Sequence, residues 1–530
     1  MHELVLYDTT LRDGAAREGV SFSLEDKLKV LKRLDSFGMH YVEGGYPASN
    51  PKDQQFFDAA VELELEKARL VAFGSTRRAL VSASRDKEMS ALVRSGAKTV
   101  CIFGKAWDFH VETALKTSLD ENLYMIEESV KYLKKKDLEV IFDAEHFFDA
   151  YKENPNYALR TLEAAAGAGV DWVVLCDTNG GVLPHEVANI VKEVREKISV
   201  PLGIHAHNDS ECAVANTLTA VREGATMVQG SINGYGERCG NANLCSVIPD
   251  LVLKMNIDCL SREDLAGLTE VSHFVSEVAN LTPDAHQPFV GYSAFAHKGG
   301  IHASGVSEEA RTYEHIRPEM VGNIQRVVVS ELSGKSTISM KAKEMDIDLA
   351  ESPQTLAEIL SKVKELEHVG YQFEAADGSF EVLIRKAAGS YQQFFRLESF
   401  RVISEKREDG KVATEATVKI HVGGSRTIAT AEGNGPVNAL DRALRLAIGR
   451  IFPALDDIEL TDYKVRVLDE KKGTAAVTRV LIETSDGEKS WGTIGVSENI
   501  IEASWEALVD SIEFGLMHKK QEPRDQGTGV

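Results

Sequence analysis

Eight strand-like runs alternate with amphipathic stretches over roughly the first 260 residues, and this alternation predicts a (β/α)8 TIM barrel. Two further observations support it. Polar residues gather at the carboxyl ends of the runs, where barrels of this kind carry their chemistry. A doubly wound open sheet competes, but no G-x-G-x-x-G turn follows the first run. The expected architecture is an α/β barrel over residues 1–265, helical linker subdomains over 266–390, a duplicated α+β domain over 391–518 and a disordered tail over 519–530.

The runs are Leu4–Tyr7, Tyr41–Glu43, Leu70–Phe73, Thr99–Phe103, Val140–Phe142, Trp172–Cys176, Pro201–His205 and Thr226–Ile232. Between the first two lies Leu24–Phe37, with Leu28, Leu31 and Leu34 on one helical face and Ser23 placed as an N-cap. At the strand ends stand Asp8 to Asp13, Glu43, Asp143 with Glu145 and His146, Asp177 with Thr178, His205 with His207, and Asn233 onward.

Residues 260 to 390 read as mainly helical, with Ser261–Asn280, Ser352–Val369 and a polar, glycine-containing stretch over Gly299–Gly305. Beyond 391 the pattern changes. Runs at Phe400–Ser404, Ala416–Val422 and Thr427–Thr430 precede a helix over Val437–Ile451. Runs at Asp462–Leu468, Ala475–Glu483 and Trp491–Gly495 precede another over Asn499–Phe514. Ala439, Ala443 and Leu444 match Ala503, Ala507 and Leu508 at an offset of 64 residues (503 minus 439), so the segment reads as an internal duplication. Pro436 suits a first helical turn and Ser497 an N-cap.

The chain carries 60 basic and 82 acidic residues, a net charge of −22, which argues against a nucleic-acid binder. No run has the roughly 18 apolar residues of a membrane span, and no basic region with an apolar signal core opens the chain. Cys101, Cys176, Cys212, Cys239, Cys245 and Cys259 form no CxxC pair. They read as buried, reduced thiols of a cytoplasmic protein.

On a strand, His205 and His207 put both side chains on one face. A lone HxH is weak evidence of a metal. Here it ends the seventh run, and Asp13 follows the first. Two histidines, one aspartate and an asparagine would suit Zn²⁺, Mn²⁺ or Mg²⁺ without choosing among them. Such a cation would polarise a carbonyl and leave positions open for substrate.

Five segments carry a family resemblance: Asp8–Gly14, Glu43-Gly44-Gly45, His205–Asp209, Gly236-Glu237-Arg238-Cys239-Gly240-Asn241 and Ala294–His302. Together they resemble the acyl-CoA-dependent 2-isopropylmalate, homocitrate and citramalate synthases, whose barrel is shared with HMG-CoA lyases. The resemblance covers essentially the whole chain, and the duplicated C-terminal segment resembles the family's regulatory domain. It implies that Asp13, His205, His207 and Asn241 hold a divalent metal and that Arg12 stabilises the enolate or the developing alkoxide. Thr178 would contact the keto-acid carboxylate, with Glu43 and His110 also on the substrate side. Glu145 and His297 would activate the acetyl methyl group of the co-substrate acetyl-CoA. His297, with Tyr313 in Tyr313–Pro318, would serve the other subunit's site, making a homodimer the catalytic unit.

Segments 43–53, 103–111 and 142–149 resemble the citramalate synthase group, which condenses acetyl-CoA with pyruvate on a route to isoleucine. Phe147, Phe148 and Trp107 would either narrow the pocket around pyruvate's methyl or pack the barrel. Isoleucine or leucine would be the feedback effector. The competing readings are 2-isopropylmalate synthase, homocitrate synthase, an aldol-type lyase and a non-catalytic amino-acid-binding relative. One departure stands out: Ala16 occupies a position where the family usually has glutamine, with Arg17 beside it.

Overall fold

The computed structural model describes residues 4–330, 333–349, 353–469 and 476–519. Most of the expected tail lies outside the described residues. The chain divides into two compact units, Met1–Phe295 with Ile316–Gln325, and Ala296–His315 with Arg326–Val530.

In the first unit eight parallel strands close a barrel in sequence order. They are β1 (Val5–Asp8), β2 (Tyr41–Gly45), β3 (Arg69–Ser75), β4 (Thr99–Lys105), β5 (Glu139–Glu145), β6 (Trp172–Asp177), β7 (Leu202–Ala206) and β8 (Met227–Gly230). Both faces of each strand are covered, which is why the runs read as nearly continuous apolar sequence. Tyr7, Val71, Cys101, Ile141, Val174 and Met227 fill the interior. Their neighbours Leu6, Val42, Leu70, Val100, Phe142, Val173, Ile204 and Val228 join the core shared with the surrounding helices.

The helix Leu24–Phe37 forms where expected. Ser23 Oγ accepts from the Asp26 amide, and Asp26 returns a carboxylate to the Ser23 amide, a reciprocal cap worth about 1 kcal/mol. Two expectations shift. The eighth run ends at Gly230, because Ile232–Gly234 turns with Asn233 at φ 60°. Ser261–Asn280 is two helices, Arg262–Leu265 and Leu268–Val278, with Ala266 and Gly267 between them. The six cysteines are free; four are buried as expected, but Cys239 is exposed and Cys212 half-buried.

The second unit begins with the short pair β9 (Ala296–His297) and β10 (Arg326–Val327). The stretch around Gly299–Gly305 is a helix, Gly300–Glu308. Two antiparallel three-stranded sheets follow: β11 (Phe395–Lys406), β12 (Val412–Val422) and β13 (Ser425–Gly433), then β14 (Glu459–Val467), β15 (Thr478–Ser485) and β16 (Ser490–Ser497). The helix Pro436–Ile448 follows the first sheet and Ile500–His518 the second, so the duplication is real at the level of three strands and a helix. Ala439, Ala443 and Leu444 occupy the same buried core as Ala503, Ala507 and Leu508. Pro436 opens its helix, but Ser497 belongs to β16; Asn499 caps the second helix instead, accepting from the Ile501 amide at 2.9 Å. The helices Lys335–Glu344 and Asp377–Ala387 contribute Ile338, Ala342, Phe380 and Ile384 to a further core that includes Ile494 of β16.

Candidate active site

The sequence after β1 turns sharply. Asp8 accepts from the Thr10 amide at 2.9 Å and from its hydroxyl at 2.7 Å, and the Arg12 and Gly14 amides return to the Thr9 carbonyl. This turn carries Arg12 and Asp13 to the carboxyl end of the barrel. There Asp13, His205 and His207 converge, all buried, with one ligand atom from each within 4.8 Å of the others. Asp13 Oδ2 lies 3.3 Å from His205 Nε2 and 3.7 Å from His207 Nε2, and the two ring nitrogens are 3.3 Å apart.

Asn241 reaches the same point from the loop after β8. That loop is stitched to the end of β7: His207 and Asn241 form an antiparallel bridge, Ala242 donates to the Ala206 carbonyl, and Asn208 donates to the Gly240 carbonyl. Asn241 Nδ2 donates to Asp13 Oδ2 at 2.8 Å, while its Oδ1 is buried without a hydrogen-bond partner. Two glycines make the approach feasible. A Cβ on Gly236 would sit 1.9 Å from Asn241 Oδ1, and Gly240 has φ +93°.

This donor set fits a divalent cation. It is compact and buried, mixes nitrogen with carboxylate oxygen, and includes an orphaned amide oxygen that a cation would satisfy. His205 carries an outer hydrogen bond, whereas His207 Nδ1 is buried without one. Gln229 Oε1 accepts from His205 Nδ1 at 2.9 Å, leaving Nε2 as the ligating nitrogen, and Gln229 Nε2 donates to Asp143 at 3.1 Å. Burial pushes the Asp143 carboxyl up to about 6, against the opposing pull of His205. Burial and neighbouring His205 push His207 down to about 4, so it stays neutral near pH 7. Burial opposes ionisation of Asp13, but Arg12 and the histidines outweigh it and hold the carboxyl well below its usual range.

Arg12 lies 3.4 Å from Asp13, its guanidinium 3.9 Å above the Phe73 ring. Glu43, fully buried, accepts from Arg12 Nε with one oxygen and from the Tyr7 hydroxyl at 2.6 Å with the other. A cavity of about 190 Å³ opens above the centre. Arg12, Asp13, Glu145, Thr178, His205 and His207 line it, as do Phe73, Phe103, Cys176 and Arg238. Thr178 Oγ1 accepts from the His146 amide at 2.9 Å, which leaves the hydroxyl hydrogen free to donate. His146 delivers that amide from a left-handed conformation, φ 57°.

His110 is not among the residues lining the cavity; its ring lies 4.9 Å from Trp107 and 4.4 Å from His146. Phe147 and Phe148 are fully buried in the core between strands and helices, so the packing alternative holds for both. The rings that line the cavity are Phe73 and Phe103, stacked 5.4 Å apart. The sequence reading missed these two and Gln229. Period-two counting along β3, β4 and β8 would have turned all three inward. Ala16 is exposed, and the Arg17 guanidinium sits 5.2 Å from the Tyr235 ring. His297 and Tyr313 belong to the second unit. There His297 Nε2 meets the buried Glu314 at 3.1 Å, and Tyr313 stacks on His302 at 4.0 Å. Among the described residues no helix is long and apolar enough to cross a membrane.

Three family models match the chain in succession. Residues 3–275 match the HMGL-like family, 289–370 the homocitrate synthase post-HMGL domain-like family, and 374–516 the LeuA allosteric (dimerisation) domain. The chain is 55% identical to (R)-citramalate synthase of Geobacter sulfurreducens, covering 98% of each chain. It is 53% identical to that of Aquifex aeolicus over 98% of this chain and 99% of the relative. It is 30% identical to 2-isopropylmalate synthase of Methanocaldococcus jannaschii, over 97% and 95%. Identity of this extent, carried from end to end, places the chain in the citramalate synthase group of the HMGL-like acyltransferases.

Proposed function

We propose that the protein is an (R)-citramalate synthase, condensing acetyl-CoA with pyruvate and hydrolysing the resulting thioester to citramalate and CoA. The observation that carries this reading is the end-to-end identity with enzymes of that name, joined to a barrel mouth that brings Asp13, His205 and His207 together beside a small cavity.

The chemistry is demanding because a thioester methyl is a weak acid. Glu145 takes the methyl proton, and the C–H electrons pass into the enolate. Arg12, already fixed by Glu43, stabilises the negative oxygen without reorganising. Thr178 donates to the pyruvate carboxylate and orients the ketone for attack. A divalent cation on Asp13, His205, His207 and Asn241 would supply polarisation of that ketone. Water then hydrolyses the thioester, releasing CoA and making the sequence effectively irreversible. His297 and Tyr313 of the partner subunit complete the site in a homodimer. Phe73 and Phe103 confine the space next to the ketone, which favours pyruvate's methyl over a branched substituent. The duplicated C-terminal domain binds isoleucine or leucine as feedback inhibitor on a cytoplasmic route to isoleucine.

A CoA-release assay with pyruvate, 2-oxoisovalerate and 2-oxoglutarate tests the proposal. Pyruvate is expected to have the highest kcat/KM. A win for 2-oxoisovalerate, or no turnover with any of them, overturns it. Addition of isoleucine and of leucine to the same assay tests the effector.

A further inference from the structure

Lys105 and Glu145 close the strands β4 and β5. They are register partners, the last step of a ladder that pairs Cys101 with Ile141 and Phe103 with Asp143. Counting by two along each strand puts all six on the barrel's inner face. At the top of this ladder Lys105 Nζ forms an ion pair with Glu145 Oε2. The two side chains are 19% and 22% exposed, so the pair is shielded from solvent on most sides. Backbone bonds hold both ends. Asn122, fully buried, donates to the Lys105 carbonyl at 2.8 Å, and the Ala106 amide donates to the Glu145 carbonyl at 3.2 Å. Lys105 Nζ also sits 5.6 Å from the Phe103 ring.

Other charged or titratable groups near Glu145 come from several elements. Asp143 shares its strand, Arg12 follows β1, and Glu237 and Arg238 follow β8; all line the cavity with it. His110 and His146 pack on each other, and His110 feels both Lys105 and Glu145. Lys105 is the cation that contacts the carboxylate directly among the described residues.

We propose that Lys105 is a positioning residue for the condensation: its ammonium holds the Glu145 carboxylate at the cavity until acetyl-CoA arrives. The inference rests on Glu145 acting as the base and so deepens the functional reading above. A general base must be held within hydrogen-bond reach of the proton it takes, and an ion pair at the strand end fixes it there. The register pairing fixes this cation by backbone geometry rather than by side-chain search.

The test is the split of kcat against pyruvate KM for Lys105→Met, Lys105→Gln and Lys105→Arg, at matched metal content. Removing the cation should lower kcat about tenfold and leave the pyruvate KM in place. Lys105→Arg should restore most of kcat. An unchanged kcat in both Lys105→Met and Lys105→Gln overturns the proposal. A rise in pyruvate KM alone also overturns it, since that would make Lys105 a substrate-carboxylate ligand. Failure of the unaltered protein to turn over pyruvate is a different result, which removes the functional reading itself.

Discussion

Glu43 anchors Arg12. One carboxylate oxygen takes the guanidinium Nε and the other takes the Tyr7 hydroxyl, so the cation is held between a buried anion and Asp13 before any substrate binds. Glu43 therefore acts through Arg12. Glu43→Gln should leave the barrel folded and lower kcat about 100-fold, the scale on which misplaced catalytic groups cost rate. Steady-state kinetics checks this; an unchanged kcat would detach Arg12 from the chemistry.

Gln229 supports the candidate metal centre through its hydrogen bond with His205. Gln229→Met should weaken binding of Mn²⁺ or Zn²⁺ about 10- to 100-fold, the usual effect of losing such a hydrogen bond. Asp13→Asn should reduce binding further, because it removes a ligand charge. Chelator-competition titration reads both, without reference to turnover.

Gly236 sits where a methyl group would overlap Asn241 Oδ1. Gly236→Ala should push Asn241 off the centre and reduce both bound metal and CoA release, while circular dichroism stays that of the wild type. Normal metal content in this variant would remove Asn241 from the donor set.

Phe103 bounds the cavity from β4, stacked on Phe73. Phe103→Ala should raise kcat/KM for 2-oxoisovalerate relative to pyruvate by about tenfold or more, the range associated with one or two buried carbons in an apolar pocket. Competition between the two acids in one assay measures the ratio directly.

Asp510, on the helix Ile500–His518, has its side chain 22% exposed, and Lys386 Nζ lies 3.9 Å away. Burial pushes its carboxyl up to about 7. An unfolded aspartate ionises near 4, so the folded form binds the extra proton between those values. The stability this contributes is present at acid pH and is lost as pH rises through about 7. Asp510→Asn should therefore raise the melting temperature more at pH 8 than at pH 5. Equal shifts at both values would contradict the assignment.

The barrel was legible because each strand is buried on both faces and is separated by helices with strong signals, as at Ser23 to Phe37. His205 and His207 were legible because a strand turns alternate residues to one side. Asp13 was legible because it closely follows the first run, whereas Asn241 could be placed only by resemblance, since the loop after β8 delivers it. Phe147 and Phe148 were ambiguous for a similar reason. They follow the left-handed His146, where strand periodicity stops, and the turn sends them into the helical layer. In the C-terminal half the repeated alanines exposed the duplication. The cap at Asn499 was missed because Ser497, an equally good capping type, stands two residues earlier but is claimed by β16.

The bridge between His207 and Asn241 joins a rigid strand end to a loop. Three donors of the centre thus come from the first and seventh strand ends, and the fourth from a segment held by a few backbone bonds and two close-packed glycines. With a cation bound there, ion retention and loop order would be one equilibrium. A cation in place would shield the Gly236–Asn241 segment from proteases, and chelation would open that segment to cleavage while the barrel beneath it stays intact.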